Sequence, residues 1–268
     1  MKDIATSSTT AYILDKYNLQ ALKKFGQNFL IDKNVVEKIV ATGNIDKNTC
    51  VIEIGPGIGA LTQVLARYAG KVRCYEIDER LIPVHQEFLS QDNIEIIYQD
   101  FLEVDVEAMT KALNAEYQNI CIIANLPYYI TTKLIEKVVL SNSAINQMVV
   151  MVQKEVAQKF SKDYASPLTR IIQSRGSCDY AFTVSKNVFN PQPNVDSAIL
   201  KIKLEQPYDQ KLYEVLEVCF NQRRKTIYNN LKQKYEHATQ ILEKSDIPLN
   251  LRSEQITIEQ FKNITKNI

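Results

Sequence analysis

"VIEIGPGIGALT", residues 51–62, decides how this chain folds. Val51, Ile52 and Ile54 make a short β-branched run, glycines follow at 55, 57 and 59, and Ala60 to Thr62 open a helix-like stretch. Glycine lets backbone approach a ligand closely at positive φ, and a helix start offers unpaired N–H groups to an anion. The segment therefore reads as a cradle for something small and partly anionic. Gly55, Gly57 and Ala60 fit the fingerprint G-x-G-x-x-A, so the loop alone suits either NAD or S-adenosylmethionine, both of which carry an adenosine.

On either side of this loop the pattern repeats. Short apolar runs at 49–54, 71–77, 94–98, 120–124 and 147–152 alternate with helical stretches at 60–68, 79–89 and 132–140. Such alternation predicts βαβ units and a parallel sheet. Upstream, 12–20 and 33–42 read as helices flanking "FGQNFLID" (25–32). Downstream come a mixed region at 154–173 and strand candidates at 180–184 and 197–204. From Tyr208 the pattern is helical, which places a domain boundary near 206/207.

Ligands of open α/β sheets sit beyond the carboxyl ends of the strands. Glu76 ends the strand after the glycine loop, where a carboxylate accepts from ribose hydroxyls, and Asp100 follows the third strand, where it could accept from an adenine amine. The fourth strand ends in "NLPYYIT" (125–131). The Asn125 side-chain oxygen is an acceptor, and Pro127 restrains Leu126 to an extended form with its carbonyl outward. Two acceptors facing one place would take both hydrogens of an exocyclic amine and hold its nitrogen toward a methyl donor. Tyr128 offers a face for a base, while Tyr129 has a weaker claim and fits packing equally. Phe189, followed by Pro191 and Pro193, reads as a stiff loop tip with an exposed ring, a second stacking wall.

Composition narrows the field. With 268 residues, 45% hydrophobic and 24% charged, the chain has the means to bury a core, and a net charge of +1 gives no global pull on a polyanion. Five cysteines without a C-x-x-C suggest neither a disulfide framework nor zinc. Two histidines make a Ser/His/Asp triad or a His-rich metal site improbable, and His85, in a charged helix-like stretch, is expected to face solvent. Nothing resembles a signal peptide or a membrane span, so a cytoplasmic protein without metal or membrane partner is expected. The densest basic run, "NQRRKTIYNNLKQK" (221–234), holds Arg223, Arg224, Lys225, Lys232 and Lys234 without an acid. It is a candidate phosphate-contacting patch, to which Lys23 and Lys24 would add.

"FGQNFLID", "IEIGPGIGALT", "YEID", "ANLPYYITT", "FNPQPNVDSAIL" and "CFNQRRKTIYNNL", in this order, resemble the KsgA-type ribosomal RNA small-subunit adenine dimethyltransferases, which are related to the Erm rRNA methyltransferases. The resemblance implies a class I S-adenosylmethionine-dependent methyltransferase: a Rossmann-like, mostly parallel seven-stranded sheet over residues 1–206, with a cofactor-covering segment in 1–48, and a small all-helical domain over 207–268. It implies that Asn28, Leu30, Gly55, Gly57, Glu76, Asp100 and Asn125 meet the cofactor. Asn125, Leu126, Pro127 and Tyr128 would receive the target amine, with Phe189 closing the base against Tyr128. The helical domain would recognise RNA. The implied substrate is a pair of adjacent adenosines in a hairpin loop near the 3′ end of 16S rRNA, met by a monomer within an assembling small subunit. The chain departs from the family pattern in "DYASPLTR" (163–170), with Ala165 and Thr169 where Gly and Ser are usual. An Erm-like enzyme of the large subunit, a non-catalytic RNA-binding assembly or transcription factor and a NAD-dependent oxidoreductase remain as alternatives.

Overall fold

The computed structural model describes residues 2–22, 25–160 and 164–268. The strands are β1 (Phe29–Leu30), β2 (Thr49–Ile54), β3 (Lys71–Glu76), β4 (Ile94–Tyr98), β5 (Asn119–Asn125), β6 (Ile145–Gln153), β7 (Gly176–Val184), β8 (Phe189–Asn190) and β9 (Ser197–Leu204). Seven of them form one sheet in the order β4-β3-β2-β5-β6-β9-β7. β2 to β6 are parallel, and β9 runs antiparallel to β6. Every residue of β2 is buried, as expected of a central strand covered by helices on both faces.

The chain winds outward from β2 through β3 to β4, then returns to the other side of β2 for β5 and β6. That reversal opens a crevice at the carboxyl ends of β2 and β5. Gly55 follows one of those strands and Asn125 ends the other. The helices beside them are amphipathic. Helix Thr131–Val139, for example, buries Leu134, Ile135, Val138 and Val139 on one face.

A second, two-stranded sheet pairs β1 with β8, matching Leu30 to Phe189 and Phe29 to Asn190. This pairing corrects one expectation. Phe189 is only 3% exposed and belongs to the apolar core, because opposite Leu30 its ring turns inward rather than into solvent.

The chain forms two compact units, residues 1–158 with 179–203 and residues 159–178 with 204–268. The expected boundary at 206/207 lies close to the second crossing, but 159–178, placed with the first domain on sequence grounds, belongs with the helical tail. In this second unit, helices Pro167–Arg175, Gln210–Phe220 and Ile258–Asn267 pack together, with the Phe220 and Phe261 rings 5.7 Å apart. The departure at Thr169 has a local explanation. Ser166 caps helix Pro167–Arg175 by accepting from the Thr169 N–H, and Thr169 Oγ1 accepts the Ser166 N–H in return, so threonine completes the capping box. No helix among the described residues is long and apolar enough to cross a membrane.

Candidate active site

The three glycines after β2 all have positive φ, +70° at Gly55, +56° at Gly57 and +93° at Gly59. They differ in what surrounds them. A Cβ on Gly59 would come within 2.7 Å of Leu89, and one on Gly57 within 3.2 Å of the Phe29 ring. A Cβ on Gly55 would meet nothing within 4 Å. Gly57 and Gly59 are small so that the loop can pack, whereas Gly55 faces open space.

That space is a cleft of about 1090 Å³ counted to its open mouth. Its lining includes Asn28, Leu30, Gly55, Gly57, Glu76, Asp100 and Asn125 to Tyr129. Residues from five separate sequence blocks thus meet in one place. Phe189 does not line it, and Lys23 and Lys24 lie outside the described residues.

Glu76 is 4% exposed. Its Oε2 accepts from the Gly57 N–H at 3.0 Å and its Oε1 from the Ile77 and Asp78 N–H groups at 2.8 and 2.9 Å. Burial pushes its carboxyl above the ordinary range, against the pull of these three bonds. A carboxylate has about four acceptor positions, so Oε2 keeps one for a ligand hydroxyl. Asp100 caps its own turn through Oδ1, accepting from the Leu102 N–H at 2.8 Å, and among the described residues no donor reaches its Oδ2.

Asn125 donates from Nδ2 to the Asn28 carbonyl at 3.2 Å, which fixes which way its amide faces. Among the described residues no donor reaches its Oδ1 or the Leu126 carbonyl. The Pro127 carbonyl, by contrast, already accepts from the Ile130 N–H and the Thr131 hydroxyl. The Tyr128 hydroxyl is anchored on Ser197 Oγ at 2.7 Å, and burial raises its pKa. Tyr129 is 56% exposed at the mouth, so packing does not account for it.

Several residues that hold the site were not evident in the sequence. Gln27 donates from Nε2 to Asp78 at 2.8 Å and so ties the 25–30 segment down. Burial alone would raise the Asp78 carboxyl, but Arg80 and Gln27 outweigh it and lower its pKa. His85 does not face solvent as expected. It is 3% exposed, with Nε2 2.6 Å from the Gly57 carbonyl and Nδ1 2.7 Å from the Tyr98 hydroxyl, and burial lowers its pKa. Ser197 could be suspected from its place at the end of the "FNPQPNVDS" block; His85 gave no such signal.

In the second unit Arg223, Arg224 and Lys225 sit on an exposed turn and Lys232 follows the short helix Ile227–Leu231. Arg223 donates to the Tyr164 hydroxyl at 2.9 Å, with its guanidinium 4.8 Å from that ring. Lys232 lies 5.0 Å from the Tyr228 ring. Buried Asn230 clamps both backbone groups of Gln222, at 3.1 and 3.2 Å, and so fixes the base of the basic turn. Among the described residues no cluster of three or more His, Cys, Asp or Glu side chains is placed to hold a metal ion.

Solved structures share this architecture. That of the 23S rRNA methyltransferase ErmE is 26% identical and superposes with a TM-score of 0.70 over 90% of this chain and 99% of its own. A dimethyladenosine transferase from Plasmodium falciparum is 24% identical, with a TM-score of 0.73 over 88% of this chain and 95% of its own. Sheet order, glycine loop and crevice are those of a class I methyltransferase. The curated ribosomal RNA small subunit methyltransferase A of Geobacillus sp. (strain WCH70) is 43% identical over 97% of this chain and 96% of its own length. The profile described as ribosomal RNA adenine dimethylase matches residues 18–268, and the chain belongs to that family.

Proposed function

We propose that this protein dimethylates the N6 amines of two adjacent adenosines in a hairpin loop near the 3′ end of 16S rRNA, within an assembling small subunit. The name of its 43%-identical relative and the family to which it belongs support this reading. The observation that carries the chemistry is the pair of unengaged acceptors, Asn125 Oδ1 and the Leu126 carbonyl, at the carboxyl end of β5 beside the cleft.

S-adenosylmethionine would supply a methyl group activated on a positively charged sulfur. The residues present suit such a ligand: open space at Gly55, the start of helix Ala60–Tyr68, one acceptor position on Glu76 and one oxygen on Asp100. Gly55 and Gly57 would border its methionine part, Glu76 its ribose and Asp100 its adenine, with Asn28 and Leu30 covering it. Asn125 and Leu126 accept the two amine hydrogens, Pro127 stiffens the turn that carries them, and Tyr128 provides a ring for the base. In the first transfer, holding both hydrogens directs the nitrogen lone pair at the methyl carbon, an orientation effect that needs no strong base beforehand because the proton leaves the alkylated nitrogen afterwards. The monomethyl amine of the second transfer has one hydrogen left, which either acceptor takes. An adenine inside a helix is out of reach, so the target is a loop or flipped base. Arg223, Arg224, Lys225 and Lys232 would meet phosphates and place the RNA without reading its sequence.

The likeness to ErmE keeps a large-subunit substrate in view. Tritiated methyl transfer to small and large subunits lacking their adenine modifications separates the two. We expect label in the small subunit, recovered as N6,N6-dimethyladenosine at two neighbouring positions. Label confined to the large subunit, or none, would overturn the reading.

A further inference from the structure

We propose that His85 is a positioning residue for the cofactor's adenosine half, which it serves by locking the glycine loop to the end of β4. The inference rests on the cleft being an S-adenosylmethionine site, and it concerns a residue that does not line the cleft.

A carbonyl oxygen can only accept, so the 2.6 Å contact with the Gly57 carbonyl puts the hydrogen on Nε2. In a neutral imidazole Nδ1 then carries the lone pair, and the Tyr98 hydroxyl, 2.7 Å away, donates to it. The bonds form one chain of donation, Tyr98 to His85 to Gly57. Gly57 is meanwhile held from its other side, because its N–H donates to Glu76. Both peptide planes flanking this glycine, at φ +56°, are therefore fixed.

Glycine has more conformational freedom to lose than any other residue, so an unheld loop would have to be ordered when ligand binds. His85 meets that cost in advance. Its chain also joins three ligand-facing strand ends: the loop after β2, Glu76 through Gly57, and Tyr98, two residues before Asp100. An apolar side chain would fill the same core position. Only the two bonds require an imidazole, and a buried polar ring is costly unless such bonds are made.

The test is titration calorimetry of S-adenosylmethionine against wild type, His85→Leu, His85→Gln and Tyr98→Phe, with single-turnover methyl transfer at saturating cofactor. His85→Leu keeps apolar bulk and loses both bonds; its Kd should rise about tenfold while the saturated transfer rate stays within about twofold. In His85→Gln the amide can donate to Gly57 and accept from Tyr98, so most of the affinity should return. Tyr98→Phe should weaken binding about threefold, and adding it to His85→Leu should cost nothing more, because one chain is cut once. Should His85→Leu fail to fold, the Tyr98→Phe shift and the wild-type-like Kd of His85→Gln still decide the matter. A Kd within twofold of wild type in His85→Leu or, where that variant does not fold, in Tyr98→Phe, a His85→Gln as weak as His85→Leu, or a lost transfer rate at unchanged Kd would overturn the proposal. Wild type that binds no S-adenosylmethionine would instead overturn the reading of the cleft on which it rests.

Discussion

The two shoulders of the cleft are built on opposite principles. On the side of β2, β3 and β4 the polar groups are largely spent on one another: Gly57 is held by Glu76 and His85, His85 by Tyr98, and Asp78 by Arg80 and Gln27. On the side of β5 they are left open, with Asn125 Oδ1 and the Leu126 carbonyl unengaged and Tyr129 exposed. A preformed shoulder binds a ligand without reordering itself, whereas open acceptors are useful only if something arrives to occupy them. Under the proposed function, the first shoulder would hold the cofactor and the second would capture the amine.

The largest effect should come from the open shoulder. Asn125→Ala removes one of two acceptors and is expected to lower methyl transfer about 10³-fold, about 4 kcal/mol of orientation and electrostatic support. The Kd for S-adenosylmethionine should change far less. Single-turnover kinetics with calorimetry on the same variant provide the check, and unchanged transfer would erase the distinction between the shoulders.

A smaller effect probes a buried group on the held shoulder that is poorly held. Glu53, in β2 below the glycine loop, is 1% exposed, and the Cys74 thiol donates to it only weakly, at 3.7 Å. Removal from water pushes its pKa up to about 8 from 4.5, opposed only in part by Thr62 and Cys74. Below pH 4.5 folded and unfolded chains both keep this proton. Between 4.5 and about 8 the unfolded chain gives it up first, so stability falls as pH rises, by up to about 1.4 kcal/mol per unit. Glu53→Gln, which does not ionise, should remove that slope. Urea unfolding at about pH 5.5 and about pH 7.5 should show wild type losing roughly 2–3 kcal/mol more than the variant. Parallel profiles would mean that Glu53 is ionised in the fold.

What the sequence disclosed, and what it hid, follows the same division. The parallel sheet was legible because β-branched runs and helical spacing are local patterns, and the meeting of Gly55, Glu76, Asp100 and Asn125 at one cleft was legible because each stands where a strand ends. His85 was not, since its partners are a backbone carbonyl in the glycine loop and a phenol at the end of β4, and a carbonyl leaves no mark in a sequence. Helix Pro167–Arg175 was placed with the first domain for a similar reason: its partners are helices of the tail.

Phe189 supplies the finest test of the contrast, because its sequence setting and its place in the fold disagree. An aromatic before Pro191 and Pro193 reads as an exposed stacking wall, and what turns it inward is pairing with β1, far away in the chain. With its ring in the core opposite Leu30, Phe189 supports the covering segment, while Ser197 in the same block steadies Tyr128. Phe189→Leu keeps apolar bulk and loses the aromatic face. If the ring is core, the change costs about 1–2 kcal/mol of stability, read by urea unfolding, and leaves methyl transfer within about threefold. If the ring instead reaches the target base, stacking worth about 1–3 kcal/mol is lost from RNA binding, so the KM for small subunits rises about tenfold or more with stability barely altered. The two results fall on different axes, and a rise in KM alone would return Phe189 to the open shoulder.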